Sequence, residues 1–162
     1  MLRDRSALQR GTGAEIEIAC WSAARHRMNP SNESFGPDDL DLTGVRILVV
    51  EDSWQIGMAI TSLLKALGAE ALGPFATSVD AQRLACEQPP HAALVDFNLR
   101  GGELAGALVE QLQEQGIYVV VTTGYSDLPE VRRNGIPILH KPVGEEALLG
   151  SLRPIVARKT RG

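Results

Sequence analysis

The feature that most constrains the fold is a regular alternation, from residue 45 onward, between short apolar runs and segments of helical periodicity. Residues 46–50, 92–96 and 117–122 are largely apolar without alternation, as expected of strands buried on both faces of a sheet. The clearest helical period places on one face the side chains of Ile56, Ala59, Ile60, Leu63, Leu64 and Leu67. Alternating strands and helices of this kind predict the α/β class.

The whole pattern predicts five strands and five helices within about 115 residues. The predicted strands cover residues 46–50, 69–72, 92–96, 117–122 and 136–139. The predicted helices cover residues 56–67, 78–87, 104–112, 127–133 and 145–157. Helical crossovers join parallel strands, so we expect a doubly wound parallel sheet. In such a sheet, functional residues lie at the carboxyl ends of the strands.

The domain organisation follows from charge and composition. Residues 45–157 form the predicted domain, residues 1–44 an N-terminal extension with a polar linker that we expect to be largely flexible, and residues 158–162 a basic tail. Residues 28–44 hold four acidic residues and no basic one, among several Pro, Gly, Asn and Asp, which is typical of a linker. So few residues follow the last predicted helix that we expect no output domain there.

Residues 1–27 hold five arginines and three acidic residues, a net charge of +2, and three interpretations of them stay open. Ile16, Ile18, Trp21 and Ala24 would form the apolar side of a short amphipathic helix that docks elsewhere. A flexible tail is the simpler interpretation. The third is that translation begins at Met28.

Composition argues against several classes of protein. The 162-residue chain is 44% hydrophobic with a net charge of −4, unlike a disordered chain or a general nucleic-acid binder. The apolar runs are far shorter than the ~20 residues of a membrane span, and Glu15 and Glu17 interrupt the candidate signal-peptide core. Cys20 and Cys86 suggest no disulfide framework. We therefore expect a cytoplasmic protein without nucleic-acid or membrane partners, and with Cys86 packed in a helix interface.

Charged and polar residues follow four of the predicted strands. Glu51 and Asp52 follow strand one, Asp96 ends strand three, Thr123 comes directly after strand four and Lys141 follows strand five. Because carboxyl ends of parallel strands share one edge, three carboxylates, a hydroxyl and a lysine should converge there. Repulsion between the carboxylates calls for a cation, and oxygen ligands select Mg²⁺ or Mn²⁺. Such a site suits phosphoryl transfer with a carboxylate as nucleophile.

These strand-end residues resemble the receiver domain of bacterial two-component response regulators, through Glu51-Asp52, Asp96, Thr123 and Lys141-Pro142. The resemblance covers residues 45–157. It implies a flavodoxin-like (βα)5 fold with the strand order 2-1-3-4-5. It also implies phosphoryl acceptance from a sensor histidine kinase or a histidine phosphotransfer protein, with Mg²⁺ as cofactor and no enzymatic role.

The resemblance assigns the acidic residues and their neighbour to phosphate and metal binding. Asp96 would accept the phosphoryl group and ligate the metal, and Asp52 would bind the metal directly. Glu51 would act as a second acid, directly or through water. Asn98 would offer its backbone carbonyl to the metal.

The same resemblance assigns the remaining residues to the switch. Thr123 would hydrogen-bond the phosphoryl group and drive the conformational change, and Lys141 would pair with the phosphate. Pro142 and Gly124 would shape the loops that follow, Pro142 often through a cis bond.

A narrower similarity lies in residues 121–125, Val-Thr-Thr-Gly-Tyr. It is similar to the Phe-Ala-Thr-Gly-hydrophobic-Tyr signature of a group of alphaproteobacterial single-domain receivers, with two departures, at Val121 and Thr122. This similarity implies a kinase of the HWE or a related type. Ile138 stands where many receivers carry a rotating aromatic residue, so Tyr125 is the candidate switch aromatic. Trp54 should lie exposed near the site.

Three functional classes remain to be compared. The first is a binding module whose protein contacts change on phosphorylation, with a phosphate sink in a relay as a variant. The second is an enzyme of the dehalogenase-type phosphatase class, which is disfavoured because Asn98 stands where that class needs a second Asp. The third is a receiver-like scaffold that is never phosphorylated, which would normally lack one of the residues present here.

Overall fold

The computed structural model describes residues 40–124 and 135–159. In chain order its elements are β1 (Arg46–Val50), α1 (Trp54–Ala66), β2 (Glu70–Phe75), α2 (Ser78–Glu87), β3 (Ala92–Asp96), β4 (Asn98–Leu99), β5 (Glu103–Leu104), α3 (Gly106–Glu114), β6 (Tyr118–Thr123), β7 (Ile138–His140) and α4 (Glu145–Lys159). No helix within the described ranges is long and apolar enough to cross a membrane.

Five of the strands form one parallel sheet in the spatial order β2-β1-β3-β6-β7. Counted along the chain among these five, the order is 2-1-3-4-5, so the predicted flavodoxin-like fold is confirmed. The central strands β1 and β3 are in register, with Val50 opposite Val95. The residues that follow β1 therefore lie beside Asp96, the last residue of β3.

The side chains of the central strands alternate between two cores. Leu48 and Val50 pack on the face covered by α2 and α3, whereas Ile47 and Val49 pack on the face covered by α1 and α4. All four side chains are at most 1% exposed. Burial on both faces explains why these strands appear in the sequence as continuous apolar runs.

An antiparallel hairpin, absent from the sequence-based prediction, interrupts the alternation after β3. Its strands β4 and β5 pair around a 3₁₀ turn at Arg100–Gly102. Gly101 and Gly102 both adopt a φ of 78°, a left-handed conformation that favours glycine. Leu104 lies in β5 and is 56% exposed. The predicted start of the third helix at Leu104 was wrong, because the hairpin delays the helix to Gly106.

The chain before β1 packs against the end of α1. Leu40 and Leu42 are 8% and 0% exposed and belong to the core beneath α1 and α4. The backbone N–H of Leu42 donates to the carbonyl of Leu67 at 2.9 Å. Packed structure thus begins before Val45, the boundary suggested by polar composition, because two leucines within the acidic segment are buried.

Several predictions fall outside the described residues. These are the interpretations of residues 1–27, the switch role of Tyr125, the helix at 127–133 and the end of the basic tail. Cys86 lies within the described part and is exposed, so its predicted packing in a helix interface was wrong. The inward face of α2 carries Ala81 and Ala85 instead, and Cys86 points about 100° away from Ala85 around the helix.

Candidate functional site

Three carboxylates meet at the carboxyl end of the sheet. Glu51 and Asp52 follow β1, and Asp96 ends the neighbouring strand β3. One carboxylate oxygen from each residue lies within 4.8 Å of the others. Glu51 and Asp96 are buried, at 3% and 4% exposure, whereas Asp52 is half-buried. The acidic strand ends therefore converge as predicted, and one of the three acids remains open to solvent.

Lys141 reaches this acidic cluster from the edge of the sheet. It follows β7, and its backbone N–H donates to the carbonyl of Thr123 at 2.8 Å. Its Nζ lies 2.7 Å from Oδ2 of Asp96 and 3.0 Å from Oε2 of Glu51. The peptide bond to Pro142 is cis. One lysine thus bridges two buried acids that stand at the ends of different strands.

Burial sets the protonation preferences of the bridged pair. Burial raises the pKa of Glu51 above its ordinary value, and the charge of Asp96 adds to the rise, while Lys141 and the N–H of Ser53 oppose it. Burial alone would lower the pKa of Lys141, but its hydrogen bond to Asp96 and the charges of both acids outweigh that effect and raise it. Lys141 therefore stays charged at neutral pH, and one lysine does not compensate three carboxylates.

The donor chemistry of the cluster fits a hard divalent cation. The group that could hold a metal consists of Glu51, Asp52 and Asp96 and contains neither histidine nor cysteine. Ligand sets made only of oxygen suit Mg²⁺ or Mn²⁺, and Mg²⁺ usually keeps several water ligands. The half-buried position of Asp52 leaves a solvent side for such waters. The residues present therefore fit the cofactor that the sequence predicted.

Asn98 adds a second fixed contact to Asp96. Its backbone N–H donates to Oδ1 of Asp96 at 3.1 Å, so both oxygens of this carboxylate are engaged, one by Asn98 and one by Lys141. The side-chain Oδ1 of Asn98 is buried without a hydrogen-bond partner among the described residues, and such an acceptor calls for a donor or a cation nearby. The predicted use of the Asn98 backbone carbonyl as a metal ligand stays a prediction.

Thr123 stands at the end of β6, between the acidic cluster and Lys141. It is fully buried, and Thr122 before it is in register with Asp96. Gly124 is the last described residue before the gap, and Tyr125 lies beyond it. The structure therefore brings Thr123 to the predicted end of the sheet, while the roles proposed for Thr123, Gly124 and Tyr125 stay predictions.

Two more side chains border the site. Trp54, the first residue of α1, is 68% exposed, which confirms that it lies at the surface beside Asp52 in the sequence. Arg100, which the sequence analysis did not single out, points from the hairpin turn toward the carbonyl of Asp52 at 3.5 Å. The sequence contained a signal for Arg100, because this arginine precedes Gly101 and Gly102 in a turn shortly after Asp96.

Comparisons by sequence and by structure give different results for this chain. The sequence matches no family model and no curated protein. The structure, in contrast, resembles that of SdrG from Sphingomonas melonis Fr1, with 30% identity and a TM-score of 0.60 over 69% of this chain and 97% of SdrG. Low sequence similarity therefore coexists with a shared fold along almost the whole of that protein.

Two further structures are explicit receiver domains. The signal receiver domain of a modulated diguanylate cyclase from Desulfovibrio desulfuricans G20 is 26% identical, with a TM-score of 0.63 over 71% of this chain and 95% of that domain. The receiver domain of the response regulator PhyR from Erythrobacter litoralis is 25% identical, with a TM-score of 0.61 over 71% and 92%. With the sheet order and the strand-end residues described above, these similarities show that the chain belongs to the response regulator receiver family.

Proposed function

We propose that Asp96 accepts a phosphoryl group from a histidine kinase or a histidine phosphotransfer protein, and that its modification changes which proteins the domain binds. One observation carries the proposal. Lys141 holds Asp96 at 2.7 Å within a cluster of three carboxylates that fits Mg²⁺. A structural ion pair would need one acid beside one lysine, whereas this cluster holds excess negative charge at a position accessible through Asp52.

The transfer requires a carboxylate aimed at phosphorus and compensation of the charge on the phosphoryl oxygens. The bond from phosphorus to the donor histidine nitrogen breaks, and a bond from phosphorus to a carboxylate oxygen of Asp96 forms. Lys141 would supply positive charge near the transferred oxygens, and a Mg²⁺ held by Glu51, Asp52 and Asp96 would add to it. The contact from the N–H of Asn98 fixes the rotation of the Asp96 carboxylate before transfer, which reduces the ordering needed at the moment of reaction.

The proposed switch passes through Thr123 and Lys141. A phosphoryl group adds about −1.5 to −2 charges beside Lys141, which competes with the present contact between Lys141 and Glu51. The carbonyl of Thr123 accepts from the N–H of Lys141, so movement of Thr123 toward the phosphate also shifts the backbone that follows β7. Two states of this edge of the sheet would then differ in their affinity for partner proteins.

The narrower assignments belong to the same proposal. We propose that the chain belongs with the receivers that carry the Phe-Ala-Thr-Gly-hydrophobic-Tyr signature, on the sequence of residues 121–125 and the likeness to PhyR. A kinase of the HWE or a related type is the partner that this placement implies. Ile138 is a half-buried residue of β7, so we propose Tyr125 as the aromatic residue that responds to phosphorylation. A cytoplasmic location fits a partner that carries phosphohistidine.

The proposal is tested by intact mass after incubation with acetyl phosphate. We expect one phosphoryl adduct that requires Mg²⁺ and is absent from Asp96→Asn. Asp80→Asn is the matched control, since Asp80 lies on α2, outside the acidic cluster. An adduct that persists in Asp96→Asn contradicts Asp96 as the acceptor. No adduct in the unchanged protein, together with no transfer from phosphorylated histidine kinases, favours the scaffold that is never phosphorylated.

A further inference from the structure

The hairpin after β3 carries a cation to the border of the acidic cluster. Arg100 stands in its turn, and the guanidinium donates to the backbone carbonyl of Asp52 at 3.5 Å. A contact of this length is weak. Arg100 is exposed, and among the described side chains no acid forms an ion pair with it. The positive charge of Arg100 is therefore available for an anion that forms beside Asp52.

The hairpin fixes the backbone of Arg100 four residues after Asp96. Leu99, directly before Arg100, is 4% exposed and packs in the core beneath α2 and α3. After the turn, the carboxylate of Glu103 accepts from the backbone N–H of Ser78, the first residue of α2, at 3.3 Å. The backbone is thus held on both sides of Arg100, and its long side chain is the part that can change its contact.

The charge of the cluster gives Arg100 a different partner in each of its states. With a divalent cation bound, the three carboxylates are balanced by the metal and Lys141, so Arg100 can stay on the neutral carbonyl of Asp52. A phosphoryl group with about two negative charges on Asp96 would take the place of a carboxylate with one. One excess negative charge then remains, and a single arginine balances it.

We propose that Arg100 exchanges the carbonyl of Asp52 for an oxygen of the phosphoryl group and stabilises the phosphorylated state, an inference that rests on the proposed phosphorylation of Asp96. The guanidinium offers several N–H donors in one plane, which suits phosphate oxygens. The exchange is short, because Asp52 also supplies a carboxylate oxygen within 4.8 Å of one from Asp96. Lys141 would hold the same group from β7, so two cations from different elements would share it.

The test uses two ligands whose affinities should change in opposite directions. Isothermal titration calorimetry on the full chain measures Mg²⁺ alone, and then beryllofluoride, a phosphoryl analogue that binds carboxylates, at saturating Mg²⁺. For Arg100→Gln we expect Mg²⁺ to bind about twofold more tightly, because a cation beside the metal site is removed. We expect beryllofluoride to bind about fivefold more weakly, because its charge loses a partner.

Two further variants separate the charge of Arg100 from its shape. Arg83→Gln is the matched control, since Arg83 lies on α2 and pairs with Asp80, and it should change neither affinity. Arg100→Lys keeps the charge but not the planar set of donors. It should leave Mg²⁺ affinity unchanged and give a beryllofluoride affinity between those of the unchanged protein and Arg100→Gln.

The opposite signs distinguish a contact to the phosphoryl group from a structural role. Equal beryllofluoride affinities of Arg100→Gln and the unchanged protein would overturn the inference. A fall in both affinities would overturn it as well, because it would mean that the substitution only disturbs the hairpin. If beryllofluoride fails to bind the unchanged protein, or still binds Asp96→Asn, the proposed phosphorylation of Asp96 is itself overturned, and the inference with it.

Discussion

The two ends of the sheet differ in chemistry although the same strands build both. The carboxyl end gathers three carboxylates and Lys141 into a partly buried cluster, while the amino end is an apolar groove at the start of β1 with the exposed acids Glu87 and Glu114 on its rim. In a parallel α/β fold, helices begin at the first end and finish at the second, so positive helix ends face the acidic cluster and negative ends face the groove. The helix ends therefore stabilise the carboxylates at the carboxyl end of the sheet, where the excess negative charge of the cluster still calls for a cation. At the amino end, the negative helix ends add to the charge of the acidic side chains on the rim.

The largest expected effect comes from removing the lysine of the acidic cluster. Lys141→Met leaves Glu51 and Asp96 buried without their shared cation, and we expect a loss of about 2–3 kcal/mol in the free energy of unfolding without metal. Lys65→Met, an exposed position on α1, serves as the control and should change stability by less than about 0.5 kcal/mol. Urea denaturation in EDTA measures both. Equal stability of the two variants would show that Lys141 does not stabilise the buried carboxylates of Glu51 and Asp96.

The second effect concerns the cation that the cluster should attract. At ten times its dissociation constant, Mg²⁺ should stabilise the protein by about 1.4 kcal/mol and raise Tm by roughly 5 °C. Asp52→Asn should remove most of this shift, whereas Asp80→Asn should keep it. Thermal unfolding with and without Mg²⁺ measures the shift. A similar rise in both variants would place the metal elsewhere on the acidic surface.

A smaller effect should appear in the pH dependence of metal-free stability. Burial raises the pKa of Glu51 above 4.5, so the stability it contributes is complete below the ordinary pKa and is lost as pH rises through the raised value. Glu51→Gln removes this titration. Its stability relative to the unchanged protein should therefore increase from pH 4.5 toward neutrality, as measured by urea denaturation in EDTA. If the stability of Glu51→Gln relative to the unchanged protein falls over this range, the effect of burial on the pKa of Glu51 is contradicted. The ion pair with Lys141 would then outweigh burial.

The smallest effect is expected for Thr123→Ala. This substitution removes the hydroxyl group that would contact the phosphoryl group, and it leaves the charge of the site unchanged. Thr123→Ala should accept phosphate from acetyl phosphate as before, but the response of β7 and Lys141 should weaken. Amide hydrogen exchange of residues 138–141, with and without phosphoryl donor, measures this response. The same change in exchange for the variant and the unchanged protein would mean that the switch does not pass through Thr123.

The sequence predicted the sheet better than it predicted the chain outside the sheet. Uninterrupted apolar runs such as residues 46–50 are constrained by burial on both faces, and their alternation with helices implied the topology. The β4–β5 hairpin was missed because Leu104 lies four residues before Leu108 and imitates helical spacing, although it is exposed. Burial of Leu40 and Leu42 was missed because the surrounding polar residues dominated the composition.

The same contrast holds within the site. The positions of Glu51, Asp52 and Asp96 were predictable because a residue that ends a strand inherits its place from the sheet. The contact between Lys141 and Glu51 was not predictable, because it depends on a long side chain crossing two strands to reach a second acid. Arg100 depends on the turn of the unpredicted hairpin and was missed for the same reason as the hairpin itself.

The most direct test of the central claim locates the phosphoryl group on the chain. The protein is treated with acetyl phosphate and Mg²⁺, reduced with borohydride so that an aspartyl phosphate becomes homoserine, and sequenced by tandem mass spectrometry. We predict homoserine at position 96 alone, with the yield greatly reduced in Lys141→Met. Homoserine at position 52, or modification spread over acids outside the cluster such as Asp80, would contradict the claim that the charge cluster around Asp96 forms the acceptor.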